Sequence, residues 1–214
     1  MCFCASASFG LGALLVASGL QILLATKAKR FYFFAAIPLF FGIQQIAEGF
    51  VWQALAGITS VGSLEFWSYF FLFFAYIVWP IYIPFSLYKV EKKRQHKKLL
   101  ALLIPVGIAM SLLLLYALFI YPLSITVEQR HIVYSFGETV SDWLSILFLC
   151  VYALATVVPF FLSSEKKLRL FGAALFASAL ITYSVWQMAF TSVWCFFSAF
   201  LSLSIYFIVI AVKR

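Results

Sequence analysis

Residues 89–121 read KVEKKRQHKKLLALLIPVGIAMSLLLLYALFIY. Lysines and arginines crowd the first ten positions, and residues 99–121 then carry no charge at all. A run of roughly 20 apolar residues crosses a hydrocarbon core of about 30 Å. Basic residues just before such a run mark the cytoplasmic side. The same grammar recurs in both directions along the chain. Lys27, Lys29 and Arg30, then Lys166, Lys167 and Arg169, and finally Lys213 and Arg214 flank other apolar runs. Of the 15 Lys and Arg residues, only Arg130 falls outside these clusters.

Composition supports the same class. Hydrophobic residues make up 65% of the 214 and charged residues 10%, with a mean hydropathy of +1.08. Soluble domains carry about 25% charged residues. The net charge of +8 sits in short loops, where it answers to membrane orientation and anionic head groups. Nucleic acid is excluded as a partner, because no polar scaffold presents a basic face with aromatics.

We therefore expect an all-α polytopic membrane protein, a single bundle domain over 1–214 with about seven transmembrane helices. The spans fall near residues 8–26, 31–56, 66–88, 99–121, 141–163, 168–190 and 193–212. An odd count places the N-terminus outside and the basic C-terminus in the cytoplasm, as in a bacterial inner membrane protein. Span one lacks a basic n-region and is read as a retained helix. Gly57, Ser60, Gly62 and Ser63 form an outer turn, and Tyr121-Pro122 ends the fourth span. Pro38, Pro80, Pro84, Pro105 and Pro159 lie inside spans, where neighbouring helices satisfy freed carbonyls. Small pairs four apart are read as packing faces: Ser8 and Gly12, Ala173 and Ala177, Ser198 and Ser202.

The side chains with chemistry collect toward the outer side. Glu48 lies about 12 Å inside span two at 1.5 Å per residue, and an intramembrane carboxylate marks a functional site or a buried partner. Gln44, Glu48 and Trp52 are spaced four apart on one helix face, with Gln45 beside them. A bland reading is a neutral Glu48 hydrogen-bonded to Gln187 or to a serine on a neighbouring helix. Cys2, Cys4 and Cys195 face outward, and Cys150, midway down span five, is read as a small buried hydrophobe. Three roles stay open for Cys2. It is a disulfide partner of Cys195, a zinc or copper ligand beside Cys195 with His131 or Glu48, or a nucleophile with a freed α-amine as base. His131 is the one outward histidine and so a candidate acid–base group. Asp142 opens span five, where an acid suits a helix N-terminus, and Gln187 lies near the outer end of span six.

Four segments carry a family likeness. The opening Met1-Cys2-Phe3-Cys4-Ala5 resembles the Met-Cys-Phe-Ser-Ala start of an uncharacterised bacterial family of multi-pass membrane proteins. Gly42–Trp52, His131–Tyr134 and Ser192–Ala199 are similar to further motifs of that family. Its pattern has serine where this chain has Cys4, which turns attention to Cys2 and Cys195. The resemblance implies topology and site positions, with no activity attached. Other seven-helix families fit less well. A rhodopsin needs a lysine in the last helix, and zinc-dependent membrane hydrolases need several histidines.

The expectation is an outward-facing polar pocket lined by Gln44, Gln45, Glu48, Trp52, Asp142 and Gln187. It binds a small molecule, a lipid-like ligand or a metal held by Cys2, Cys195 and His131. A rival is a membrane-embedded thiol hydrolase or transferase with Cys2 as nucleophile, His131 as base and Glu48 as acid. A third is a proton-coupled transporter using Glu48.

Overall fold

A computed structural model describes residues 4–136 and 142–211. Helix α1 (Ala5–Ala25) leads through a 3-10 turn (Lys29–Phe31) and a short α2 (Tyr32–Ala35) into α3 (Ile37–Leu55). The third apolar run is built from α4 (Val61–Leu72), a π-helical turn (Phe73–Val78) and α5 (Trp79–Val90). Helix α6 (Arg94–Ile120) is followed by strands β1 (Leu123–Glu128) and β2 (His131–Phe136). The chain ends in α7 (Asp142–Thr156), α8 (Val158–Phe161), α9 (Lys166–Val185), α10 (Phe190–Ser202) and α11 (Ile205–Ala211).

Among the described residues, six helical segments are long and apolar enough to cross a membrane: Ala5–Ala25, Lys29–Leu55, Gly62–Val90, Arg94–Ile120, Lys166–Val185 and Phe190–Val209. Each matches an expected span. The fifth expected span, 141–163, departs from expectation. Its helix breaks at Val157, and the apolar part Ser145–Thr156 is shorter than the other six. Pro159 explains the break, since it has no N–H to donate and its ring opposes the carbonyl four residues back. Pro38 and Pro80 likewise sit in the first turn of a helical segment, whereas Pro84 and Pro105 lie within helices.

The all-α expectation is corrected by the hairpin. Strands β1 and β2 pair antiparallel, from Leu123 opposite Phe136 to Glu128 opposite His131. A two-residue turn closes it, with Gln129 at φ 48° and Arg130 at φ 66°. Positive φ at both positions gives a twist that matches the strands, but Asn and Gly are the residues that adopt it cheaply. Burial of β2 holds the turn in place. His131 to Tyr134 are all buried, while β1 is largely exposed. Alternation gives β2 two different faces. Ile132 and Tyr134 join Ala47, Val51, Phe71, Leu72, Leu118 and Cys195. Val133 packs instead with Ala189, Val193, Trp186 and Phe197.

Close backbone approach organises the helices. A Cβ on Gly42 would stand 2.7 Å from the Val16 nitrogen and 2.9 Å from the Gly12 oxygen, so α1 and α3 touch through bare backbone. Ser8, Ser198 and Ser202 are buried as packing residues. Ala173 and Ala177 are exposed, which corrects their reading as a packing pair. Gly172 takes that role on α9, where a Cβ would meet Phe160 at 2.5 Å.

The π turn has a local cause. Trp79 donates its N–H to Phe74 O, five residues back, immediately before Pro80 interrupts the ladder. Two neighbouring helices satisfy the carbonyls around the irregularity. The Tyr152 hydroxyl donates to Ala75 O at 2.5 Å, and Ser111 Oγ donates to Ile77 O at 2.9 Å. Such side-chain rescue is what lets a helix bend within an apolar layer.

At the basic end one carboxylate ties two loops together. Glu91, 4% exposed, accepts the backbone N–H groups of Lys92 and Lys93 at 2.9 and 2.8 Å. It also accepts the Ser164 N–H at 2.7 Å, the Ser164 hydroxyl at 2.7 Å and the Ser163 hydroxyl at 3.2 Å. Burial alone would raise its pKa, but the Ser164 hydroxyl and the backbone donors hold it down to about 2. His96 Nδ1 lies 2.6 Å from Leu162 O, a second link across the same junction.

Candidate functional site

The polar groups of α3 meet α10 in an antiparallel ladder of two rungs. The Ser192 hydroxyl donates to Glu48 Oε1 at 2.5 Å. One turn deeper, Gln44 Nε2 donates to Cys195 Sγ at 3.4 Å, and Gln44 Oε1 accepts the Trp79 indole N–H at 2.8 Å. The spacing follows from helix geometry. Residues four apart on α3 and three apart on α10 each share a face, so two antiparallel helices bring them into register. Glu48, Gln44 and Cys195 are all buried.

Further hydroxyls surround the ladder. Tyr76 OH lies 3.3 Å from Thr191 Oγ1. The Trp194 indole donates to Ser178 Oγ at 3.2 Å. Tyr134 reaches in from β2, its ring stacked on Phe71 at 5.2 Å. Its hydroxyl is buried with no hydrogen-bond partner among the described residues, and Glu48, Cys195 and Tyr76 are within electrostatic reach of it. Gln45 is fully buried, and its amide approaches Glu48 without the geometry of a normal hydrogen bond.

A cavity of about 690 Å³ adjoins this cluster. Its wall is formed by the π turn, the C-terminal half of α6, the end of β2, α7 and the stretch from Gln187 to Cys195. Pockets that bind small molecules occupy about 300–1,000 Å³ and combine apolar walls with a few polar groups. Here the polar groups include Tyr76, Tyr134, Ser145, Tyr152, Gln187, Thr191 and Cys195. A smaller cavity lies on the far side of Cys195, between Trp79 and Phe160.

The structure divides the residues expected at the site. Gln44, Glu48 and Cys195 come together, and Gln45 is beside them. Glu48 has the serine partner, Ser192, and not Gln187, which is exposed and donates to the Tyr183 hydroxyl at 3.3 Å. Gln187 nonetheless lines the cavity. Trp52 is half-buried against the core below the hairpin. His131 belongs to the opposite face of β2 from Tyr134. Its Nδ1 lies 2.6 Å from Gln129 O and its ring 5.5 Å from that of Trp186. Cys4 and Cys195 are free thiols. Cys150 is exposed, which corrects its reading as a buried hydrophobe. It faces outward from α7, whose Ile146, Leu147 and Leu154 are exposed as well. Cys2 and the side chain of Asp142 lie outside the described residues. No three His, Cys, Asp or Glu side chains cluster as a metal site among the described residues.

Sequence reasoning did not single out Tyr134, Tyr76, Trp79 or Ser192 as site residues. Ser192 and Tyr134 stand within the family-like segments, so a signal for them existed. Tyr76 and Trp79 are aromatic residues in an aromatic-rich span, where nothing distinguishes a site residue from packing.

Fold and site together define a helical bundle of membrane-spanning length with a polar cluster capped by a hairpin. The chain belongs to a family of unknown function (DUF6629), whose family model matches residues 1–214. No curated protein and no solved structure matches it.

Proposed function

We propose that this is a seven-helix protein of a bacterial inner membrane, N-terminus outside and C-terminus cytoplasmic, that binds a small organic molecule beneath the hairpin. The cavity of about 690 Å³ beside the Glu48–Ser192 and Gln44–Cys195 pairs carries this reading. The segregation of Lys and Arg supports the orientation. The α7–α8 segment, broken at Val157, serves as the seventh crossing. An organic ligand is favoured over a metal, because Cys195 supplies one soft donor while His131 belongs to the other face of β2. The same separation weighs against a thiol enzyme that uses His131 as the base for Cys195, since such a pair must lie within hydrogen-bond reach.

Native mass spectrometry of the protein purified in mild detergent tests the binding. The expected result is an added organic mass that disappears on denaturation and is lost when Ala117→Trp fills the cavity. A bare mass in both proteins, with no small molecule raising thermal stability, refutes the reading. Membrane-impermeant maleimide tests the orientation on single cysteines at Ser60 and Ser164. Labelling from outside only at Ser60 is expected, and labelling only at Ser164 overturns it.

A further inference from the structure

Resting on that binding reading, we infer that the ligand is a neutral lipid-like molecule, a long apolar body bearing a hydroxyl or carbonyl head, that enters from the bilayer.

The mouth of the cavity is the first observation. Leu113, Tyr116 and Met188 line it and are themselves 53%, 60% and 68% exposed. Leu113 lies seven residues before the end of α6, hence about 10 Å below it at 1.5 Å per residue. The opening therefore runs along the apolar depth of the helix, where only hydrocarbon is at hand, and not solely at its outer end. Helix α7 packs on α5 and α6, while its contact with α10 is sparse among the described residues. A water-soluble ligand gains nothing from such a lateral mouth, whereas an acyl or prenyl chain occupies it with every CH₂ favourably placed.

The head group follows from what the wall contains. No Lys, Arg, Asp or Glu among the described residues lines the cavity. Glu48 is adjacent, but its carboxyl is engaged by Ser192 and it is only 2% exposed. Among the described residues a phosphate or carboxylate head finds no cation in the wall, and an ammonium head finds no free anion. Either would be buried without compensation, at a cost of several kcal/mol. Hydroxyls line the wall instead, and they suit a neutral head.

One of these hydroxyls points to the ligand independently. Tyr134 is 8% exposed, it lines the cavity, and its hydroxyl has no hydrogen-bond partner among the described residues. Buried hydroxyls without partners are uncommon, because each forfeits its hydration for nothing. An alcohol or carbonyl oxygen on the ligand supplies the missing partner.

The test uses the full chain in lipid nanodiscs with three photoactivatable probes of equal chain length: a fatty alcohol, a fatty acid and a fatty amine. The alcohol is expected to crosslink α6, α7 and the 187–195 peptide, and unlabelled long-chain alcohol or ketone to compete. Tyr134→Phe is expected to weaken alcohol capture about three- to tenfold, the value of one neutral hydrogen bond, while leaving the fold intact. Ala117→Trp is expected to abolish capture. Equal or stronger capture of the acid or amine overturns the inference, as does alcohol capture unaffected by both variants. If a water-soluble organic adduct appears in native spectra while no probe is captured, the lipid class falls and the binding reading stands. If neither adduct nor capture is found, both fall.

Discussion

Ser192 and Glu48, 144 residues apart in the chain, share a hydrogen bond of 2.5 Å in which the serine hydroxyl donates to the carboxyl. No Lys or Arg occurs within the helices that carry them, α3 and α10. The pair is held by hydrogen bonding and not by charge neutralisation. Glu48→Gln keeps an acceptor for Ser192 and is expected to change stability by no more than about 1 kcal/mol. Glu48→Ala removes the acceptor and leaves a void, and is expected to cost on the order of 2–4 kcal/mol. Thermal unfolding of both variants in one detergent measures the contrast, and equal losses would contradict it.

Gly107 admits no side chain. A Cβ there would lie 1.9 Å from the carbonyl oxygen of Pro80, a backbone atom with nowhere to go. Gly107→Ala is expected to separate α5 from α6 and to lose several kcal/mol of stability or the folded protein altogether. Gly10→Ala is the control, since nothing lies within 4 Å of its Cβ position. Removing an exposed helical glycine is expected to gain about 0.5–1 kcal/mol.

The clamp at Glu91 makes stability depend on acid. Its carboxyl has a folded pKa of about 2, below the ordinary value of 4.5. Its contribution is therefore complete above pH about 4.5 and declines as the pH falls toward 2. Glu91→Gln is expected to cost on the order of 1–2 kcal/mol at neutral pH and to flatten the acid limb of the stability profile. An unchanged acid limb in the variant would remove Glu91 from this role.

Tyr152 and Ser111 each cover a carbonyl of the π-helical region. Tyr152→Phe and Ser111→Ala leave Ala75 O or Ile77 O without that donor. Each is expected to cost about 1–2 kcal/mol, and to speed amide exchange within 73–79 more than elsewhere. Exchange rates unchanged in that segment would show that the carbonyls need no such support.

Apolar run length and basic loops sufficed for six of the helices, because a membrane span is a property of composition over some 20 residues. The break at Val157 was foreshadowed by Pro159, yet proline in a span is compatible with a mere kink, so sequence could not separate the two. Apolar and polar residues alternate in Ile125-Thr126-Val127, but Ile132-Val133-Tyr134 is a continuous apolar run, and the turn is Gln129-Arg130, which lacks the Asn or Gly that announces such a turn. Gln44 and Glu48 were legible as a face from their spacing. That Ser192 and Cys195 would be their partners depends on which helix packs against α3, and no local pattern encodes that. Cys150 was misjudged because α7 is apolar all round, and an all-apolar helix does not say which side its own bundle covers.

The π turn has a consequence for the phase of the third helix. A π turn amounts to one extra residue inserted into an α-helix, and each residue of a regular helix advances the azimuth by about 100°. Everything after Val78 is therefore clocked by that offset, including Trp79, whose indole reaches Gln44, and Pro80, whose carbonyl abuts Gly107. Excision of a single residue between Phe73 and Val78 would restore a regular helix and swing both away from their partners. The spacing from Phe73 to Trp79 is thus under a constraint of length as strict as any constraint of residue identity, and insertions or deletions are far less tolerable there than in the loop at Gly57–Ser60.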